Sequence, residues 1–309
     1  MICETNFFNM PFKSGFVTII GKPNAGKSTL LNALIGEKIS IITPKVQTTR
    51  HRIKGILTTK DFQIVFSDTP GVIDPKYDLH KSMMKAIDDS IEDADVLLFL
   101  FDGKKEISSV EELGSRYGNN SLQKIIAINK SDVADEQALA SFAKQAKKNF
   151  PTAEIILISA LKKLNLDVLL NAIVKLLPEQ NAFFSEEELT DRSERFLVSE
   201  LIREKIFEQF QQEVPYSTEV IIHEWKEEKE ITKIRADIIV ERESQKAILL
   251  GKGGAAIKYL GIEARKSIEE FLSKGTSGEK KKIFLGLTVK VNAGWRNSDR
   301  MLKYFGYQK

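Results

Sequence analysis

The sequence is poor in the residues that staple a chain or bind metals. Among its 309 residues there is one cysteine, Cys3, so no internal disulfide can form and a reducing compartment is expected. Its three histidines, His51, His80 and His223, are isolated, which excludes the spacing of a zinc site and leaves them packing or solvated roles. No apolar run approaches the roughly 18 to 20 residues that cross a bilayer. The greasiest, Val96 to Phe101, is bracketed by Asp95 and Asp102. The first residues carry Glu4 and lack both a basic start and an apolar stretch with a cleavage site, so a secretory leader is not expected. Internal repeats and long low-complexity tracts are also missing. What is present, 42% hydrophobic and 29% charged residues, supports one or two packed domains and excludes a wholly disordered or fibrous protein.

The formal net charge of +3 hides a strong polarity. From Gln245 to Lys309 there are 14 basic and 5 acidic residues, a net +9, which leaves −6 on the preceding 244. An acidic N-terminal part joined to a basic one points to a polyanionic partner, nucleic acid ahead of an anionic lipid surface.

From Gly15 onward, short apolar runs alternate with helical stretches: FVTII, KSTLLNALIG, FQIVFSD, VLLFLFDG, KIIAINK and EIILISA. This rhythm predicts an α/β domain with a mostly parallel sheet, whose ligands bind at the C-terminal ends of the strands. Its last helix, about Leu166 to Leu177, stops at Pro178, and a polar stretch precedes a new periodic segment near Arg195. The expected organisation is a nucleotide-binding domain over 1–182, a linker over 183–191 and a second domain over 192–309. In the latter, Val198, Ile202, Ile206 and Phe210 mark one face of a helix. STEVIIHEW and ITKIRADIIVER then read as a hairpin, followed by two helical segments and a strand in which Ile283, Leu285, Leu287, Val289 and Val291 alternate with less apolar residues. The order is helix, strand, strand, helix, helix, strand.

The strongest motif is GKPNAGKS, comprising Gly21, Lys22, Pro23, Asn24, Ala25, Gly26, Lys27 and Ser28, set between strand FVTII and a helix that continues with Thr29. This is the GxxxxGK[ST] phosphate loop: the glycines let backbone N–H groups face a phosphate, Lys27 supplies charge and Ser28 offers a hydroxyl to Mg2+. At the end of FQIVFS comes DTPG, with Asp68, Thr69, Pro70 and Gly71, where an acid can hold the metal through water and the Gly71 amide can sense a γ-phosphate. Between them, TPKVQTTRHR offers Thr48 or Thr49 as a metal ligand in the triphosphate state; the sequence does not choose between them. NKSD follows strand KIIAI. Asp132 can accept from guanine N1–H and the exocyclic amine, Asn129 supports the loop, and the stem of Lys130 can lie against the ring. Ser159 and Ala160 complete the pocket, with a backbone amide aimed at guanine O6.

In this order, each at a strand end, the motifs resemble the GTP-binding domain of translation-factor-class GTPases. After DTPG stands Val72, where Ras-like enzymes carry a glutamine that orients the attacking water. The resemblance is therefore to the subgroup with a hydrophobic residue there, some of whose members with an asparagine in the phosphate loop use bound K+; this implies a potassium role for Asn24.

Gly251, Lys252, Gly253 and Gly254 form a GxxG turn between helical segments, with Ile248, Leu249 and Ile257 beside it. With the element order and the +9 charge, this resembles a type II KH domain, which implies single-stranded RNA held over an apolar groove with Lys252 near phosphate. A GTPase domain followed by a KH domain, with the ending VKVNAGWRNSDRMLKYFGY, is similar to the bacterial Era family from Gly15 to Tyr307. The resemblance implies a GTP hydrolase with Mg2+ that binds 16S rRNA near its 3′ end and serves assembly of the 30S subunit. It also implies a cytoplasmic monomer with peripheral association to the inner membrane. Departures from the pattern are Ser131, where a hydrophobic residue is common, and a less basic VNAGWRN. Two other readings compete: a membrane-surface signalling GTPase whose basic domain reads lipid, and an RNA scaffold stabilised by nucleotide. Lys280, Lys281 and Lys282 fit RNA contact or a solvated turn, and Trp295 is expected to pack.

Overall fold

The computed structural model describes residues 11–104, 108–273 and 281–308, so Cys3, Glu4 and Lys280 lie outside the described residues. The chain divides into two compact units. The first runs to Ile39 and resumes over Arg52–Thr69 and Ile87–Asp191, while the second gathers Ser40–His51, Pro70–Ala86 and the chain from Arg192 onward.

The first unit carries a six-stranded sheet. In chain order its elements are β1 (Lys13–Ile20), α1 (Lys27–Ile35), β2 (Ile53–Thr58), β3 (Phe62–Asp68), α2 (Asp78–Glu92), β4 (Val96–Asp102), α3 (Ser108–Tyr117), β5 (Gln123–Asn129), α4 (Glu136–Asn149), β6 (Glu154–Leu157) and α5 (Leu166–Leu176). The first turns of α2 are counted with the second unit. The strand order is β2-β3-β1-β4-β5-β6, parallel throughout except for the antiparallel edge pair β2/β3. Runs such as VLLFLFD are buried on both faces because helices cover both sides of a parallel sheet. Val17, Ile19, Leu98, Leu100, Ile125 and Ala127 pack against Leu30 and Leu31 of α1 and Leu169 and Ile173 of α5. Each fully buried aliphatic side chain there contributes about 1.5–3 kcal/mol.

The stretch expected as a linker is tied to this unit by hydrogen bonds. Gln63 Oε1 accepts from the amides of Phe183 and Phe184, at 2.7 and 3.0 Å, and the Ile56 amide donates to the Leu189 carbonyl at 2.9 Å.

In the second unit the chain from Arg192 forms α6 (Glu194–Gln209), β7 (Glu219–Glu227), β8 (Thr232–Val240), α7 (Glu243–Leu250), α8 (Ala255–Ser273), β9 (Ile283–Val291) and α9 (Asp299–Tyr304). β7 and β8 are antiparallel, β8 and β9 parallel, in the order β7-β8-β9. Val198, Ile202 and Ile206 of α6, with Phe210 just past its end, meet Ile234, Ala236 and Ile238 of β8 and Leu260, Ala264 and Ile268 of α8 in one core. Trp295 is fully buried, its indole N–H donating to the Ser217 carbonyl at 3.0 Å, so it packs as expected.

One expectation needs correcting. α6 is not a helix with one buried face, because Glu200, Arg203 and Glu204 are buried as well. Residues 40–51 account for this: the Ile42 amide donates to Glu204 Oε1 at 3.1 Å, and Arg203 Nη2 donates to the Thr48 carbonyl at 2.5 Å. Among the described residues no helix is long and apolar enough to cross a membrane.

Candidate functional site

The phosphate loop leaves β1 and enters α1 with almost no spare space. A Cβ on Gly21 would stand 2.5 Å from the Leu100 carbonyl oxygen, and one on Gly26 2.3 Å from Asn129 Nδ2, where φ is +100°. Only glycine fits there, for both space and backbone conformation. Between them Asn24 takes φ 64°, and the Ala25 amide donates to the Lys22 carbonyl at 3.3 Å. Lys22 pairs with Glu112, and Pro23 is half-buried. The ammonium of Lys27 donates to the carbonyls of Gly21 and Lys22, at 3.1 and 3.2 Å. Burial lowers its pKa from 10.5 to about 8, while the carboxylate of Asp68 pulls it back up. Lys27 is thus a desolvated cation held at the mouth of the loop.

In the first turn of α1, beside half-buried Thr29, the Ser28 hydroxyl donates to Asp68 Oδ2 at 2.7 Å. Asp68 and Thr69 are completely buried, and the Thr69 hydroxyl donates to the Ile19 carbonyl at 2.7 Å, which locks the end of β3 against β1. Ser28 and Asp68 therefore present hard oxygen donors side by side, the chemistry that suits Mg2+.

The third loop is organised by Asn129. Its Nδ2 donates to the Ala25 carbonyl at 2.8 Å and its Oδ1 accepts from the Ala160 amide at 2.9 Å, so one side chain ties the phosphate loop to the turn after β6. Of the two residues expected to offer a backbone amide to guanine O6, Ala160 has its amide bonded to Asn129 in this structure. Ser159 is fully buried and its hydroxyl accepts from the Lys162 amide at 3.1 Å. Lys130 takes φ 64° and places its ammonium 2.7 Å from Asp102 Oδ2 and 3.0 Å from the Asn24 carbonyl. Asp132 is exposed on the following turn, where its carboxylate is open to a base edge.

Thr48, Thr49, Pro70, Gly71 and Val72 belong to the second unit. The Thr48 hydroxyl shares a 2.6 Å hydrogen bond with that of Thr43 and donates to the Lys45 carbonyl at 2.8 Å. Val72 is buried. Within the unit these segments are stapled to the C-terminal fold. Lys45 donates to the carbonyls of Phe207 and Phe210 at the end of α6. Fully buried Arg50 donates to the carbonyls of Thr218 and Pro215, at 2.7 and 2.9 Å. The Asp78 amide donates to Asn297 Oδ1 at 3.1 Å.

The GxxG turn lies between α7 and α8. Gly251, Gly253 and Gly254 have φ of 69°, 60° and 78°. Added Cβ atoms at Gly253 and Gly254 would meet nothing within 4 Å, so the outer side of this turn is open. Lys252 is exposed, Ile248 is 49% exposed and Ile257 is half-buried. Beside the turn a groove of about 470 Å³ runs between α8 and β9, its apolar lining including Ile257, Leu285 and Leu287, with Lys258 and Arg265 at its border. Gly261 and Phe284 line it too, and these two, with Lys258 and Arg265, escaped the sequence reading. The four-residue spacing of Gly261 and Arg265 on one helix and the alternation of β9 carried the signal.

A phosphate loop at the end of β1, an Asn129–Asp132 loop at the end of β5 and a KH fold define the class: a P-loop GTPase with an appended KH domain. Residues 16–130 match the family described as "50S ribosome-binding GTPase", and residues 213–296 match the KH domain. GTPase Era of Clostridium kluyveri is 42% identical over 302 residues, covering 96% of this chain and 99% of the relative. GTPase Era of Nitrosomonas eutropha is 42% identical over 299 residues, covering 96% and 98%. Two crystal structures match at 38% identity over 96% of this chain and 100% of theirs: Era with MgGDPNP and nucleotides 1506–1542 of 16S ribosomal RNA, TM-score 0.90, and a single-residue variant of Aquifex aeolicus Era bound to GDP·AlF4−, TM-score 0.89. The chain belongs to the GTPase Era family and hydrolyses GTP.

Proposed function

We propose that this chain binds single-stranded 16S rRNA near its 3′ end and uses GTP binding and hydrolysis to time that grip during assembly of the small ribosomal subunit. The domains for this are residues 1–182 for nucleotide and 192–309 for RNA. The observation that carries the coupling is the membership of residues 40–51 and 70–86, where a γ-phosphate is sensed, in the same compact unit as the KH fold. A rearrangement of residues 40–51 has to break or re-form the Arg203–Thr48, Lys45–Phe207 and Arg50–Pro215 hydrogen bonds. Those bonds anchor on α6, which packs on the grooved helix α8, and on the turn before β7.

Toward nucleotide, the loop from Gly21 to Thr29 wraps the phosphates, Lys27 neutralises their charge, and Asp132 accepts from the guanine edge beside Asn129, Lys130, Ser159 and Ala160. Ser28, Asp68 through water and, in the triphosphate state, either Thr48 or Thr49 would hold Mg2+, which would offset charge on the phosphates during transfer. Val72 cannot orient a water, and Asn24 would hold a K+ that would supply charge in place of a polar side chain. Toward RNA, bases lie in the groove of Ile257, Leu285 and Leu287, beside Ile248. The backbone passes over Gly251, Gly253 and Gly254 with Lys252 at phosphate. The apolar lining favours bases over lipid headgroups.

The test is titration of a 16S 3′-end RNA oligonucleotide at fixed salt with a non-hydrolysable GTP analogue, with GDP and without nucleotide. Affinity is expected to differ between the GTP-like and GDP forms, and linkage then requires RNA to shift nucleotide affinity by the same factor. Equal affinities in all three states would leave an uncoupled GTPase tethered to an RNA-binding module. The same samples, turned over in K+ and in Na+, read the Asn24 assignment: equal hydrolysis in both removes it.

A further inference from the structure

β4 ends on Asp102, which lies opposite Asn129 in the parallel β4/β5 pairing. The strand end is pinned there, because the Gly103 amide donates to the Asn129 carbonyl at 2.9 Å. One residue further, Lys130 turns into the left-handed region at φ 64°, a conformation that costs a residue with a Cβ roughly 1–2 kcal/mol. What holds it is a charge-assisted hydrogen bond, Lys130 Nζ to Asp102 Oδ2 at 2.7 Å. The Asp102 carboxylate is 6% exposed, and its other oxygen accepts from the Lys104 amide at 3.1 Å. From this anchor the same ammonium donates to the carbonyl of Asn24, itself at φ 64° in the phosphate loop. The acidic end of β4, the base loop and the phosphate loop thus meet on one nitrogen.

We infer that Asp102 is a positioning residue for guanine-nucleotide retention: it fixes the Lys130 ammonium so that the lysine stem is stretched across the base face while its head clasps the phosphate loop at Asn24. This rests on the reading of Asn129–Asp132 as the base-binding loop. Released from Asp102, the ammonium on its four-carbon stem swings into solvent, which loses both the platform and the clasp. Asp102 touches no base edge in this arrangement. It sets how long nucleotide stays, not which purine is chosen.

The experiment measures dissociation of a fluorescent GDP analogue from the full chain carrying Asp102→Asn, Lys130→Met, or both. Asparagine keeps the acceptor for Lys104, and methionine keeps the apolar stem. Each single variant is expected to release the analogue about tenfold faster, and the double variant no faster than either single one, because Asp102 acts through the ammonium. The double variant removes both charges, so it stays informative if Lys130→Met, which strands a buried carboxylate, fails to fold. At saturating GTP, kcat of Asp102→Asn is expected within about twofold of the parent while KM rises. Release from Asp102→Asn within twofold of the parent would overturn the inference, as would multiplicative effects in the double variant, which denote a general loosening of the strand ends. Preference for GTP over inosine triphosphate is expected to be unchanged in Asp102→Asn and reduced in Asp132→Ala. Unchanged preference in Asp132→Ala would instead sink the base-loop reading itself.

Discussion

Each unit carries a glycine loop, and the two loops are built in opposite ways. In the phosphate loop the glycines are needed because of what surrounds them: at Gly21 a backbone carbonyl and at Gly26 the Asn129 amide occupy the volume of a Cβ. Its lysine is buried, held by two carbonyls and lowered in pKa by desolvation. In the GxxG turn the glycines are needed for their positive φ alone, since Gly253 and Gly254 face open space and Lys252 is exposed. A closed cradle suits a compact ligand of fixed shape, whose charge is best met in a desolvated site. An open edge suits a polymer that lies across it and makes many screened contacts.

The largest effect is expected at the closed loop. Gly26→Ala combines a strained φ of +100° with a 2.3 Å approach to Asn129 Nδ2, and Asn129 in turn holds Ala25 and Ala160. Loss of GTP affinity by at least 100-fold is expected in a titration, with RNA affinity in the absence of nucleotide retained. Lys27→Ala leaves the fold of the loop and removes its charge, so turnover should fall at least tenfold. Near-parental hydrolysis by either variant would mean that the cradle is not where phosphate sits.

Much of the closed loop was legible in the sequence because its parts are local. GKPNAGKS, DTPG and NKSD are short runs at the ends of buried strands, and the apolar runs announce those strands. Contacts between distant polar residues leave no such trace. Arg50 is fully buried through carbonyls 165 and 168 residues away, so TPKVQTTRHR reads as a polar loop although it is built into the second unit. For the same reason α6 showed one apolar face while Arg203 and Glu204 are buried too. β2 was missed because Gly55 interrupts its apolar pattern; a Cβ there would lie 2.6 Å from Leu31, so glycine is kept for packing against α1. Asp102 looked like the polar end of an apolar run, and only its distance to Lys130 distinguishes it from a cap.

A smaller effect is expected at the open loop, where change is tolerated by the fold. Gly253→Ala meets no neighbour and bears only the cost of its φ of 60°, about 1 kcal/mol, so the chain should fold and bind RNA a few-fold more weakly. Replacing Lys252 and Gly253 together with Asp sets two carboxylates at the path of the phosphates, and binding of the 16S 3′-end oligonucleotide should fall by more than tenfold with GTP affinity intact. If Gly253→Ala proved as damaging as Gly26→Ala, with an unfolded second unit, the contrast between the two loops would collapse.

The smallest effect separates the units by pH. All three histidines lie in the second unit. His51 stacks on Tyr307 with ring centroids 4.1 Å apart and meets the edge of Phe196. Burial holds it well below its usual 6.5, and the cations of Arg192, Arg203 and Arg50 add to this. His80 is lowered to about 4 by burial, then by Arg50, Arg296 and Lys76, and its Nδ1 accepts from the Lys76 amide, which requires a bare nitrogen. A lowered pKa in the folded state means that the unfolded chain takes up the proton first. The stability these rings contribute is complete above about pH 6.5 and is lost as pH falls from there toward 4. In the first unit the shift runs the other way at Asp88, whose carboxyl is raised by burial, so protonation there favours folding. Hydrogen exchange of α6 and β8 amides, corrected for intrinsic rate, should therefore reveal a loss on the order of 1 kcal/mol for each of His51 and His80 between pH 6.5 and 5.5, with β1 and β4 unchanged. His80→Gln keeps an acceptor and cannot titrate, and it should flatten part of that dependence. A parallel acid response of both units, or one untouched by His80→Gln, would place the sensitivity outside these rings.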